Sequence, residues 1–210
     1  PEVGLATAVL FKRGAARFDL GEKREPLRSG LSVFNVFTSF VPEAVLDEYL
    51  ECLIAGRGIT TCQLYTRFTG KQGSDPVAGL LEYVTNYILG LCQLNPILLS
   101  NPQYDVLSGG MGAASADILA MTPKKEPLLV SCTMGMPDQK KIGLLLAART
   151  AISQRFGWPG GQIKVLLVTG KPSVPHADSE TQILAAEHLH QLWGMIKKGD
   201  MLGAWSLIGV

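Results

Sequence analysis

Two continuous apolar runs, one helix length apart, constrain this chain more than anything else in it. Leu128-Leu129-Val130 and Ile163 to Val168 are apolar on both faces apart from Lys164, and between them lies a helical stretch from Asp138 to Phe156, closed by the turn Trp158-Pro159-Gly160-Gly161. Strands buried on both faces belong to parallel sheets. Parallel neighbours need a crossover, and a helix supplies it while covering one face. Residues 127–170 therefore predict a βαβ unit and, for the whole chain, an α/β fold: a three-layer sandwich with a mixed, mainly parallel sheet. A chain of 210 residues is read as a single α/β domain, with the first 41 residues as a strand extension along one edge.

The rest of the chain follows from local patterns. Val3 to Phe11 and Leu31 to Val41 are rich in β-branched and aromatic residues and predict strands, with a charged loop between them. Pro42 suits the first turn of a helix over Glu43 to Ala55, whose early acids favour the dipole and which Gly56 ends. Ile59 to Phe68 alternates and predicts a strand, and Val77 to Leu94 carries a wide apolar stripe and predicts a buried helix stopped by Asn95-Pro96. Short strands are expected at Ile97 to Leu99 and Tyr104 to Leu107, a short helix at Ala113 to Met121, and a turn at Pro123-Lys124-Lys125. Ser179 with Gln182 forms a capping-box pattern that starts a last helix closed by Lys197-Lys198-Gly199, and Trp205 to Val210 is expected to be a final strand.

Composition narrows the function classes. The charged share is 18% against an apolar share of 47%, below the roughly 25% charge usual for soluble domains. A surface poor in charge suits a protein partly covered by copies of itself or by a partner. A net charge of +1 excludes nucleic-acid binding by bulk electrostatics, leaving only the weakly basic loop from Lys12 to Arg28 as an electrostatic arm. The four cysteines, Cys52, Cys62, Cys92 and Cys132, form no Cys-x-x-Cys pair, so buried free thiols in a reducing, cytoplasmic compartment are expected. No signal-peptide pattern and no run of roughly 20 apolar residues occurs, so no transmembrane segment is expected.

Ligands in α/β folds gather where strands end and helices begin, and three such loops stand out. Gly110-Met111-Gly112-Ala113-Ala114-Ser115 approximates a dinucleotide fingerprint, with Glu126 as an acid further on, though serine replaces the third glycine. Ser131-Cys132-Thr133-Met134-Gly135 ends the first buried strand, and a thiolate at Cys132 near a helix N-terminus would be a nucleophile. In outline this strand is similar to the metal-site strand of von Willebrand factor A domains. That family places an aspartate first among the small residues, and here no acid occurs before Asp138, so no metal site is expected. The third loop, Thr169 to Asp178, offers Lys171 and His176 to an anion but lacks a Walker frame. His188 and His190, two apart on one helix, diverge.

Two function classes follow. The first is a non-catalytic interaction or assembly protein, self-associating or part of a larger complex, of which a viral matrix- or shell-type protein is one member. It rests on the low charge and on three tryptophans, Trp158, Trp193 and Trp205, taken as surface-prone. The second is an enzyme or sensor for a small anionic ligand, phosphorylated or a nucleotide, held by Gly110, Gly112, Ser115, Cys132, Thr133, Lys171 and His176. The sequence names no cofactor.

Overall fold

The computed structural model describes residues 41–68, 76–99, 116–173 and 181–210. The strands expected within residues 3–41 and 104–107 and the loop around Gly110 fall outside these residues, Val41 apart. In chain order the elements are helix α1 (Glu43–Ile54), a 3-10 turn (Ile59–Thr61), α2 (Gln63–Phe68), α3 (Pro76–Leu91), strands β1 (Ile97–Leu98), β2 (Ile118–Met121) and β3 (Pro127–Thr133), α4 (Gln139–Phe156), a 3-10 turn (Gly160–Gln162), β4 (Lys164–Thr169), β5 (Gln182–Leu184), α5 (Ala186–Lys198) and α6 (Met201–Ile208).

The expected βαβ unit is present: β3, α4 and β4, with β3 and β4 parallel and in register from Leu128 opposite Lys164 to Thr133 opposite Thr169. Five strands form one mixed sheet in the order β1-β2-β3-β4-β5. The β1–β2 and β2–β3 pairs are antiparallel, and the β4–β5 pair is parallel. The turn at Pro123-Lys124-Lys125 closes the β2–β3 hairpin. There Lys125 takes a left-handed φ of 64°, and the Thr122 N–H donates to Glu126 O (2.8 Å) while the Thr122 hydroxyl accepts the Glu126 N–H (3.0 Å).

Successive side chains on a strand point to opposite faces, so residue parity sorts the two sides of the sheet. At even positions Leu98, Ile118, Ala120, Leu128, Val130, Cys132, Leu166, Val168 and Leu184 are buried, on the face that meets α3, while Lys164 and Gln182, where β4 and β5 begin, are exposed. Odd positions (Leu129, Val165, Leu167) pack with Leu145 of α4 and with Ile163, but Leu119 and Ile183 are only partly buried and Ile97 is 37% exposed. Among the described residues α4 covers the odd face at its centre, and the side chains at its margins are less buried. On the even side, α3 lies over β1, β2 and β3, and α5 packs against α1, α3 and β5.

Four expectations are corrected. Residues 59–68 form a 3-10 turn and a helix rather than a strand: the buried Ile59 and Cys62 are three apart, and the Thr61 and Thr66 hydroxyls donate back to Gly58 O (2.8 Å) and Cys62 O (3.1 Å). Residues 118–121 form a strand rather than the end of a helix, because the sheet buries alternate residues. Gln182 belongs to β5, not to a helical first turn. The last long helix begins at Ala186, with the His188 Nδ1 accepting the Ala185 N–H at 2.9 Å. The strand expected over Trp205 to Val210 is instead the end of a helix over Met201–Ile208: Asp200 caps it by accepting the Gly203 N–H (2.9 Å), and the Trp205 indole N–H donates to Cys92 O (2.8 Å).

Helix α5 is tied to α1 by one carboxylate. Asp47 Oδ1 accepts the Trp193 indole N–H (2.7 Å) and the Lys197 ammonium (2.9 Å), which also lies over the Trp193 ring at 5.3 Å. Burial acts to raise the Asp47 carboxyl, but the hydrogen bonds from Lys197 and Trp193 outweigh it and hold the group below its ordinary value. A lowered carboxylate contributes stability above its unfolded pKa and loses it as pH falls through the folded one. Asp47→Ala is expected to cost about 1–2 kcal/mol in urea unfolding at neutral pH, with a gap that narrows in acid below about pH 4. An unchanged midpoint at neutral pH would show that the tie carries no stability.

Candidate functional site

The carboxyl ends of β3 and β4 meet the amino end of α4, and two of the loops singled out in the sequence are tied together there. The Gly170 N–H donates to Thr133 O (2.9 Å), the Thr169 hydroxyl donates to Gly135 O (2.7 Å), and the same hydroxyl accepts the Lys171 N–H (3.1 Å). A Cβ at Gly170 would lie 2.7 Å from the Met134 sulfur, so a larger residue there requires the Met134 side chain to shift. Thr133, Gly135 and Lys171 thus share one rim.

A carboxylate sits below this rim. Asp117, just before β2, extends the antiparallel ladder with its N–H donating to Val130 O (2.8 Å). Its Oδ2 accepts both the Ser131 hydroxyl (3.0 Å) and the Cys132 backbone N–H (2.6 Å). Ser131, at an odd position, is fully buried on the α4 side of the sheet, and Asp117 is half-buried beside it. Lys141, half-buried in the first turn of α4, is near enough for its charge to act on Asp117. Asp138 caps that helix by accepting the Lys141 N–H at 2.6 Å, so the one acid present in the loop serves the backbone. Burial raises the Asp117 carboxyl above its ordinary value, against the opposing pull of the Cys132 N–H, Lys141 and Ser131.

Cys132 belongs to the other face. Its even position turns the thiol toward α3 and Thr85, and burial, with the negative charge of Asp117 added, pushes that thiol well above its ordinary value. Burial alone pushes Cys92 up to about 12. All four cysteines are free and buried, as the sequence implied, and the nucleophilic role considered for Cys132 has no physical support. Of the other expected ligand residues, Thr133 and Lys171 come together on the rim, whereas Gly110, Gly112, Ser115 and His176 lie outside the described residues. Asp117 and Lys141 escaped the sequence reading. Asp117 fell inside a supposed helix, and its one signal was an isolated acid opening the short apolar run Ile118-Leu119-Ala120.

Among the described residues no three His, Cys, Asp or Glu side chains gather as a metal site, and no helix is long and apolar enough to cross a membrane. No protein-family model matches the chain, and neither a curated protein nor a solved structure matches it.

Because the folded state holds a proton on Asp117 more tightly than the unfolded state does, the group's contribution is full below the unfolded pKa and is lost as pH rises through the folded one. Asp117→Asn, which keeps an acceptor for the Cys132 N–H, is expected to raise the melting temperature at neutral pH, with the gain vanishing below about pH 4. A lower melting temperature at neutral pH would mean that the charge itself holds the loop. A charged disulfide reagent should label no cysteine in the folded protein and all four after unfolding; rapid labelling of Cys132 in the native state would restore its candidacy as a nucleophile.

Proposed function

We propose that this chain binds a phosphorylated ligand, a nucleotide or other phosphate ester, in the notch between the carboxyl ends of β3 and β4 and the amino end of α4. The observation that carries this reading is the convergence of Asp117, Ser131, Thr133, Thr169 and Lys141 on one side of the sheet, beneath two loops bonded to each other. Lys141 and the exposed Lys171 supply positive charge for the phosphate. Asp117, with only Oδ2 engaged by Ser131 and Cys132, supplies a carboxylate oxygen for the hard divalent cation that accompanies phosphate esters. The same placement agrees with the general rule that α/β sheets bind ligands outside their carboxyl ends. Helices over both faces support reading the architecture as a three-layer sandwich whose mainly parallel half, β3 to β5, carries the ligand.

A second reading, self-association, is favoured by a different observation. Met136, Leu144, Phe156 and Trp158 are all exposed on or beside α4, and Phe156 and Trp158 pack their rings 5.6 Å apart. Of the tryptophans taken as surface-prone, only Trp158 is exposed; Trp193 is buried and Trp205 half-buried, both with indole N–H groups bonded within the domain. This weakens the assembly reading without removing it. The four buried free thiols suit a reducing compartment such as the cytoplasm under either reading.

Thermal unfolding with nucleoside mono-, di- and triphosphates and with inorganic phosphate, each with and without Mg²⁺, tests the first reading. A ligand at a hundredfold excess over its Kd should stabilise by about 2.7 kcal/mol, or about 5 to 10 °C for a chain of this size, and Lys141→Ala should reduce that shift at least tenfold in affinity. Turnover of a bound ester would make the protein an enzyme; binding without turnover would make it a sensor. Silence from every probe, or a shift indifferent to Lys141→Ala, would sink the proposal, while light scattering that finds only monomer at high concentration would dispose of the second reading.

A further inference from the structure

The backbone of Lys171 is pinned from both sides. Its N–H donates to the Thr169 hydroxyl (3.1 Å), and its carbonyl accepts the Ala186 N–H (2.9 Å) at the start of α5, where the Glu187 N–H reaches Pro172 O (3.3 Å). Those two amides open the helix and so have no partner within it. Ala185 at the N-cap has no side-chain oxygen to offer them, and its own N–H is taken by His188 Nδ1 (2.9 Å). Carbonyls of the loop after β4 stand in for the missing cap.

The other end of that loop is held by one hydroxyl. Thr169 is fully buried, donates to Gly135 O (2.7 Å) and accepts from Lys171. It therefore joins the β3 loop to the rim lysine and, through Lys171, to the first turn of α5. Donor and acceptor are the same oxygen, so a single substitution removes both bonds. The pairing of Val168 with Leu184 holds β5 against β4 independently, so the loop governs the first turn of α5 rather than the seat of the whole helix.

We infer that residues 169–172 are a strap that couples the rim of the notch to the amino end of α5, with Thr169 as its positioning residue. The strap has two states. Docked, it fixes Lys171 at the rim and caps α5. Released, it frees the backbone of Lys171 and leaves the Ala186 and Glu187 amides to water. A ligand that engages the exposed Lys171 ammonium binds the docked state better and shifts the balance toward it, and a secured start of α5 favours that ligand by the same factor. This use of the strap rests on the phosphate reading above, whereas the coupling itself does not.

Site-resolved amide exchange tests the coupling without any ligand. Thr169→Val keeps the shape of the side chain and removes the hydroxyl. Exchange at Ala186 and Glu187 should then quicken about tenfold relative to the Met121 amide, which donates to Leu94 O at the opposite end of β3. Thr169→Ser, which keeps the hydroxyl, should restore slow exchange. Unchanged exchange ratios in the valine variant, or no rescue by serine, would overturn the inference. Should the valine variant fail to fold, the wild-type protein decides: the Lys171, Ala186 and Glu187 amides should open as one unit with the same urea dependence, and separate openings would refute the strap. A nucleoside diphosphate with Mg²⁺ separates the two proposals. Where it raises the melting temperature it should also slow exchange at Ala186 and Glu187, and a melting shift without that slowing would overturn the coupling and leave the notch standing. No melting shift, beside quickened exchange in Thr169→Val, would sink the phosphate reading and leave the strap.

Discussion

The parallel pairing of β3 with β4 is the constraint on which the rest depends. Six consecutive residue pairs, from Leu128 with Lys164 to Thr133 with Thr169, bring two apolar strands side by side, and neither can turn a face to water. Each fully buried leucine or valine in such a pair removes apolar surface worth about 1.5–3 kcal/mol, so both faces must be roofed. Helix α4 roofs one because it is the crossover itself. The other is roofed by α3 over β1 to β3 and by α5 beside β5, and α1 packs on α5, fastened through Asp47, Trp193 and Lys197.

The unequal roofing of the two faces matters for function. The even face is buried through leucines, isoleucine and valines on all five strands, with Lys164 and Gln182 exposed where β4 and β5 begin. Among the described residues α4 covers the odd face, and Asp117, Ser131 and Lys141 gather beside the first turn of that helix, where β3 and β4 end. A carboxylate kept half-buried with its proton affinity raised is a cost to the fold that packing alone does not explain. The same strand end thus has two different environments one residue apart: Ser131 turns to the polar corner, and Cys132 turns to the sealed core.

How much of this was legible depended on whether a residue's role was local. The βαβ unit was legible because its signals are local and strong: two apolar runs, an Asp138 cap and a Gly157 left-handed stop around an 18-residue helix. Helix α1 and the burial of all four thiols followed for the same reason. The failures cluster where the chain is short and ambiguous. Ile59 to Phe68 alternates like a strand, yet among the described residues it pairs with none, and the threonine hydroxyls fold it back on itself. Ile118 to Met121 and Gln182 to Leu184 are too short to declare themselves, and became strands because β3 and β4 offered open edges.

By itself, then, the sequence determined the α/β class, the parallel centre, the buried thiols and the strand-end loops, since periodicity, burial on both faces and capping chemistry are written in neighbouring residues. Tertiary structure alone decided the order of the five strands, the fate of the ambiguous segments and the make-up of the polar corner. Asp117 and Ser131 are fourteen positions apart in the chain and meet through a hydrogen bond of 3.0 Å, while Lys141 arrives on the next helix. No local pattern encodes such a meeting, because the register of a hairpin and the entry of a helix fix it, and those are settled by how the whole sheet buries its two faces.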